Sequence, residues 1–273
     1  MRRAAEAVLL HAALVGGAVL VLAPLLWMVS ASLMPAGEAT AVPPRLVPSA
    51  ITFEHYRGLF TRLDLARSLR NSAGLAASVT VIALLVNSMA GYAFAKLRFA
   101  GREHIFRVLL AGLVIPAQVG MLPLFLMLRE LRLVNTYAGV IVPGMASVFG
   151  IFLVRQYALS IPESVLDAAR IDGAGELRIY RSLVLYLCAP ILVTLAVFTF
   201  MGTWNDFMWP LVVLADARRY TLPVALANLA GEHVQDVELM MAGAVLTVLP
   251  VLVLFVCLQR YYLAGIMAGS VKE

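Results

Sequence analysis

The sequence predicts an all-α membrane protein of six transmembrane helices, and three observations predict it. Of its 273 residues, 62% are hydrophobic and only 14% charged, whereas soluble domains carry roughly 45–50% apolar and about 25% charged residues. Such a chain lacks the polar surface to cover itself, so lipid must solvate much of it. Apolar runs of about 20 residues also recur along its length, each able to cross a hydrocarbon core about 30 Å thick at about 1.5 Å per residue. Finally, a polar segment with helix start and stop signals of its own interrupts the pattern between the fourth and fifth runs.

The runs cover residues 8–33, 74–95, 105–128, 137–155, 187–214 and 239–258. The first follows Arg2 and Arg3 and resembles a signal peptide, with Val29-Ser30-Ala31 as a small-residue cleavage site. Its apolar stretch exceeds the roughly 7–15 residues of a signal, so it is read as a retained span. The last four runs contain Pro116, Pro123, Pro143, Pro190, Pro210 and Pro250. Bundled membrane helices tolerate proline because neighbours re-satisfy the freed carbonyls.

Loop charges set the orientation. With both termini cytoplasmic, the inner segments hold 12 of the 21 basic residues, among them Lys96, Arg98, Arg102, Arg107, Arg155, Arg170 and Arg178, and 7 of the 16 acidic ones. The formal net charge of +5 then lies on the inner face, where it meets anionic lipid, and does not imply nucleic acid. Cys188 and Cys257 are too few for a disulfide framework and read as buried small hydrophobes. Two lysines against nineteen arginines bears on coding composition rather than mechanism.

The outer segment 35–70 is proline-rich at its start and helix-like through Phe53–Phe60 and again through 63–71. A third outer loop, 215–238, carries Glu232, Asp236 and Glu238 and reads as solvated. His11 near the inner end of the first span snorkels to the interface. Asp206 is the one acid clearly inside an apolar run, after Trp204 and Asn205. Two readings stay open there: a pathway or gate group, or an interfacial belt anchored by Trp204 and Trp209. The chain has no G-x-x-x-x-G-K-[ST] phosphate loop, no His/Cys cluster at metal spacing and no G-x-S-x-G turn. It therefore reads as non-catalytic.

The polar segment runs from Ser160 to Gly175. Ser160-Ile-Pro-Glu163 fits a capping box, and Glu163 and Asp167 suit the positive end of the helix dipole. Gly173 is the stop. Three-to-four spacing gathers Ile161, Val165, Ala168 and Asp172 on one face with Ala169 beside them. That face suits another protein surface, or else a connector helix lying on its own bundle.

The run Glu163-Ser-Val-Leu-Asp-Ala-Ala-Arg-Ile-Asp-Gly-Ala resembles the E-A-A-x-x-x-G loop of inner-membrane permease subunits of binding-protein-dependent ABC importers. Its Ala-Ala-Arg-Ile-Asp-Gly-Ala form is similar to the carbohydrate-uptake branch, which contains the maltose permease G subunit. Asn71-Ser72, Gly91-Tyr-Ala-Phe-Ala-Lys-Leu-Arg-Phe-Ala-Gly-Arg102, Ile115-Pro-Ala-Gln-Val-Gly-Met-Leu-Pro-Leu-Phe, Trp204-Asn-Asp-Phe, Tyr220-Thr-Leu-Pro and Leu263-Ala-Gly-Ile-Met-Ala-Gly-Ser-Val-Lys extend the resemblance along nearly the whole chain. Three places depart from the pattern. Asp167 replaces glutamate, Leu183–Tyr186 lacks the usual proline, and Arg132 stands where glycine is usual.

The resemblance implies a type I ABC importer permease fold, with one permease domain over 1–273. The first span and outer segment occupy 1–70, a five-span core with a coupling loop at 160–185 occupies 71–262, and a cytoplasmic tail occupies 263–273. It implies a multi-pass protein of the bacterial inner membrane, transporting sugars. Its partners would be a second permease subunit, an ATPase dimer and an extracytoplasmic solute-binding protein. Asp167, Ala168, Ala169 and Gly173 match the motif's E, A, A and G, and with Glu163 and Asp172 they would meet the ATPase. This chain would bind no cofactor, since ATP and magnesium belong to the ATPase. Trp204, Asn205 and Asp206 would border the path. The same importer class carrying glycerol phosphate, a polyol or another small polar solute is the near alternative. An ion-coupled secondary transporter and a membrane scaffold are the distant ones.

Overall fold

A long apolar sequence with no polar face makes a helix that lipid must surround, and α1 (Arg2–Ala31) is such a helix. In the computed structural model, which describes residues 2–43, 45–62, 64–232 and 236–268, its Leu14, Leu20 and Leu26 are 62–77% exposed. A short α2 (Glu54–Arg62) precedes α3 (Leu65–Lys96), and α4 (Arg102–Ala111) continues through a 3-10 turn over Gly112–Val114 towards α5 (Ala117–Glu130). Then come α6 (Tyr137–Gly144), α7 (Val148–Leu159), the polar helix α8 (Glu163–Ile171) and α9 (Glu176–Ile179). A π turn over Tyr180–Val184 leads to α10 (Leu185–Leu187), α11 (Ala189–Asn205), α12 (Met208–Val213), α13 (Leu222–Glu232) and α14 (Val237–Ala268). Among the described residues there is no strand. Four helical stretches among the described residues are long and apolar enough to cross a membrane, or up to six if each of two bent pairs is one span.

The bent pairs coincide with the third expected span, 105–128, and with the start of the fifth, 187–214. α4 with its 3-10 turn meets α5 at 105°. Pro116 has no N–H to continue the ladder and drives Ile115 to φ −84°, ψ 118°. Pro123, Pro143 and Pro250 stay inside helices. The second bend, 79°, falls at Cys188, just before the Ala189-Pro190 start of α11. The run 187–214 breaks again at Asp206, where α11 ends. Cys257 is exposed on α14, contrary to the buried reading, whereas Cys188 is buried.

The chain divides into two compact units. In the unit formed by 1–66 and 225–251, the outer segment is held by hydrogen bonds to its own backbone. The Thr52 N–H donates to the Leu33 carbonyl at 2.9 Å, and the buried His55 ring lies 2.9 Å from the Met34 carbonyl. Of the acids read as solvated, Glu238 is not: it is 1% exposed and accepts the Ala39 N–H at 2.7 Å. Asp236 caps α14 by accepting the Leu239 N–H at 2.9 Å. Glu232 ends α13, and its side chain lies outside the described residues, as do residues 269–273 and the side chains from 258 onward.

The unit formed by 67–224 and 252–273 contains α3 apart from its first two residues. The helix-like stretch expected at 63–71 enters α3 from Leu65 onward, continuous with the span, and Leu63 lies outside the described residues. The 32 residues of α3 reach about 48 Å at about 1.5 Å each. Near its N-terminal end, Asn71 Nδ2 donates to the Arg218 and Tyr220 carbonyls, both at 3.0 Å. The Leu222 N–H donates to Ser72 Oγ at 2.8 Å. Two sequence motifs, Asn71-Ser72 and Tyr220-Thr-Leu-Pro, are thus halves of one junction. Further along, a Cβ on Gly91 would stand 2.7 Å from that of Val154, so glycine is what lets α3 and α7 touch.

Candidate functional site

The segment between α7 and α9 is built from its ends inward. Ser160 closes α7 with helical dihedrals, and its hydroxyl donates to the Tyr157 carbonyl at 2.7 Å. The capping box expected at Ser160 is therefore not formed. Pro162, at φ −60° and ψ 135°, is the residue before α8. Its fixed φ starts the helix without a side-chain cap, two positions beyond Ser160.

Glu163 does not reach back to a cap either. Its Oε1 accepts Lys96 Nζ at 3.0 Å. The same ammonium donates to the Ile161 carbonyl at 2.6 Å and the Leu159 carbonyl at 3.4 Å. The Lys96 side chain is 4% exposed. Its three donors thus meet three acceptors, all from the α7–α8 junction.

One face of α8 packs and the other is open. Leu166 is fully buried among Ile161, Ala158, Tyr92, Ala95 and Ile179, with Ala169 packed at the edge of that cluster. Ser164, Asp167, Ala168 and Ile171, at helical spacing, are exposed, as are Val165 and Asp172. Ile171 is 86% exposed. The docking face read from sequence is corrected in two members. Ile161 precedes the helix and is buried, and Ala169 faces the chain's own core.

The helix ends as Gly173 predicts. Gly173 has φ +81°. Its N–H donates to the Arg170 carbonyl at 3.0 Å, and the Ala174 N–H donates to the Ala169 carbonyl at 2.9 Å. This pair of bonds is a Schellman motif. Arg132, at φ +56°, occupies the matching place after α5. There Arg132 N–H donates to Arg129 O at 3.0 Å, and Leu133 N–H to Leu128 O at 2.8 Å. A side chain therefore stands in a backbone conformation that favours the glycine usual in the resembling branch.

Arg170 ties α8 to α9. Its Nη1 donates to Asp167 Oδ1 at 2.8 Å and its Nε to Glu176 Oε1 at 2.9 Å. The bonds to Glu176 and Asp167 push the guanidinium above its usual range, so it stays charged. The Tyr92 hydroxyl donates to the other oxygen of Glu176. The shortened carboxylate at Asp167 is thus engaged on its own helix, in an exposed pair of small energetic weight.

In the sequence Lys96 and Tyr92 stand out only as an inner-face charge and as members of the family-like run Gly91–Arg102, and Ile171 and Glu176 have no assigned role. The available signal was Lys96 itself, a lysine kept among nineteen arginines. A narrow buried nook with two carbonyls and a carboxylate suits a compact ammonium better than a planar fork.

Trp204, Asn205 and Asp206 stand together at the end of α11. Trp204 is buried and stacks on Phe200, centroids 5.9 Å apart. Asn205 is exposed, with Nδ2 donating to the Met201 carbonyl at 2.9 Å. Asp206 ends the helix and accepts the Trp209 N–H at 3.3 Å, which starts α12. Trp209 Nε1 donates to the Gly139 carbonyl at 3.2 Å.

Comparison with known proteins adds to this geometry. Residues 83–267 match the family described as binding-protein-dependent transport system inner membrane component. The arabinooligosaccharides transport system permease protein AraQ of Halalkalibacterium halodurans is 39% identical over 252 residues, 91% of this chain and 90% of that protein. The trehalose transport system permease protein SugB of Mycobacterium tuberculosis is 34% identical over 275 residues, covering 99% and 98%. A chain in the crystal structure of a bacterial ABC transporter that imports the acidic polysaccharide alginate superposes with a TM-score of 0.84. It is 27% identical, covering 96% of this chain and 98% of that one.

Proposed function

Because the chain belongs to the family of binding-protein-dependent transport system inner membrane components, we propose that it is one membrane half of an ATP-driven importer of sugars. It works as a single permease domain of six spans with both termini cytoplasmic. It pairs with a second permease subunit, a solute-binding protein outside and an ATPase dimer inside. ATP and magnesium are bound by the ATPase, and this chain catalyses nothing.

The observation that carries the reading is the two-faced α8. Leu166 anchors it, while Ser164, Ala168 and Ile171 face away and are exposed, with Asp167 paired to Arg170 of the same helix. The ATPase occupies that open face. Closing of the ATPase dimer moves α8 together with Glu163, Ala169, Asp172 and Gly173, and the bundle passes from inward- to outward-facing. Linkage makes the coupling reciprocal: loaded binding protein favours the ATP-closed state as much as the reverse. Trp204, Asn205 and Asp206, where the fifth span is interrupted, border the path taken by the sugar.

Reconstitution of all four components in liposomes tests the reading with trehalose, arabinooligosaccharides and glycerol 3-phosphate as cargo. Uptake of either sugar that needs both ATP and the binding protein is expected. Uptake by this chain alone on an ion gradient would overturn it, and uptake of glycerol phosphate only would move the cargo to a different class.

A further inference from the structure

We propose that Lys96 and Tyr92, one turn apart at the inner end of α3, are the positioning residues through which movement of α8 reaches the membrane. The inference rests on the reading of α8 as the ATPase contact. It concerns what lies behind that contact rather than the contact itself.

Both ends of α8 are tied to the same turn of α3. At the start, the Lys96 ammonium holds Leu159 O, Ile161 O and Glu163 Oε1. At the end, the Tyr92 hydroxyl holds Glu176, which also accepts Arg170 of α8. Between these points Leu166 and Ile161 pack in one cluster with Tyr92 and Ala95. A buried charge that loses one of its partners is strongly penalised, so the α7–α8 junction cannot slide off Lys96 without a large cost. The slack that polar loops normally provide is absent at both ends.

What α3 does with a push differs from what its neighbours do. It is one unbroken helix of 32 residues without an internal proline. The segment following α8 is interrupted by a π turn at Tyr180–Val184 and bends by 79° at Cys188. A broken helix absorbs displacement at its breaks, whereas a continuous one carries it along its length. The contact between Gly91 and Val154 leaves no gap in which α3 could yield beside α7. Asn71 and Ser72, towards the other end of α3, hold the Arg218–Leu222 junction. The pull therefore reaches the far end of the helix.

The test uses the assembled importer, its permease chain carrying alanine at Cys188 and Cys257. A cysteine at Ile171 is crosslinked to the ATPase subunit, and in a separate sample a fluorophore on a cysteine at Ala73, exposed on α3, reports movement when ATP and orthovanadate are added. In the parent importer the crosslink forms and the fluorescence shifts. In Tyr92→Phe, Lys96→Met and the double variant the crosslink should persist. The shift should fall roughly five-fold in Tyr92→Phe, the scale of one lost hydrogen bond, further in Lys96→Met, which loses all three bonds of the ammonium, and furthest in the double. An undiminished shift in the double variant, or no shift in the parent, would overturn the role of α3. Failure of the parent crosslink would instead overturn the docking reading itself. Tyr92→Phe keeps the ring beside Tyr180, 6.1 Å between centroids, so it decides alone if Lys96→Met does not reach the membrane.

Discussion

The segment around α8 and the segment around α2 invite the same reading in sequence, as polar, helix-bearing excursions from the bilayer. Their polar atoms are spent differently. In the unit that holds α2, Glu238 is buried on the Ala39 N–H, Asp236 caps α14, and Glu38 accepts both Arg45 and the Ser49 N–H. Around α8, Lys96 and the Tyr92-bound Glu176 tie the two ends, Asp167 is paired with Arg170 of the same helix, and Ser164, Ala168 and Ile171 are exposed. A carboxylate that satisfies its own backbone is structural; a face left open after the backbone is satisfied is available to a partner.

Replacing Ile171 by arginine should break this contrast most sharply. The side chain is 86% exposed, so folding should be unaffected, and the permease should reach the membrane in normal amount. Binding-protein-dependent uptake should fall about 100-fold, near 3 kcal/mol, as for a central interface residue. Ala168→Arg should do the same. Ala169→Arg should also lower the amount of protein, because Ala169 packs on the chain's own core. Normal uptake by Ile171→Arg would remove the open face from the mechanism.

Leu166→Ala probes the packed side of the same helix. Removing a fully buried leucine costs about 2–5 kcal/mol, read as a lower melting temperature of the purified importer in detergent. In the unit that holds α2, Glu238→Ala leaves the Ala39 N–H without its acceptor and should cost about 1–3 kcal/mol. Its effect should be confined to stability, with uptake per ATP unchanged at a permissive temperature. A coupling defect in Glu238→Ala at full stability would erase the distinction between the two segments.

Much of this was legible in the sequence, and the failures share a cause. Apolar runs and the Gly173 stop are local signals, and the helices and the Schellman end follow from them. Ser160 misled because a capping box is a local pattern, whereas the start of α8 is set by Pro162 and by Lys96, which takes Glu163 from another helix. Pro116 and Pro123 look alike in the chain. Only one breaks its span, because re-satisfying freed backbone groups depends on neighbours distant in sequence. The burial of Glu238 likewise needs Ala39, which no spacing rule brings near. The exposed face of α8 was half legible: its helical spacing was readable, but which stripe packs inward was decided by the cluster around Leu166.

The smallest effect sharpens the comparison at the level of one backbone conformation. α8 and α5 end in the same pair of hydrogen bonds, one with Gly173 at φ +81° and the other with Arg132 at φ +56°. A side chain in the left-handed region is disfavoured by roughly 1 kcal/mol relative to glycine, part of which glycine forfeits through its greater freedom when unfolded. Substitutions at the two caps should therefore act with opposite sign. Gly173→Ala should destabilise by about 1 kcal/mol, although a Cβ there meets nothing within 4 Å, so that the cost is conformational and not steric. Arg132→Gly should stabilise by roughly 0.5 kcal/mol, since the guanidinium lies on an exposed turn where its removal loses little packing. Melting temperatures of the two variants in the purified importer give the check. Shifts of the same sign would mean that the charge of Arg132, and not its backbone, is what this chain retains in place of glycine.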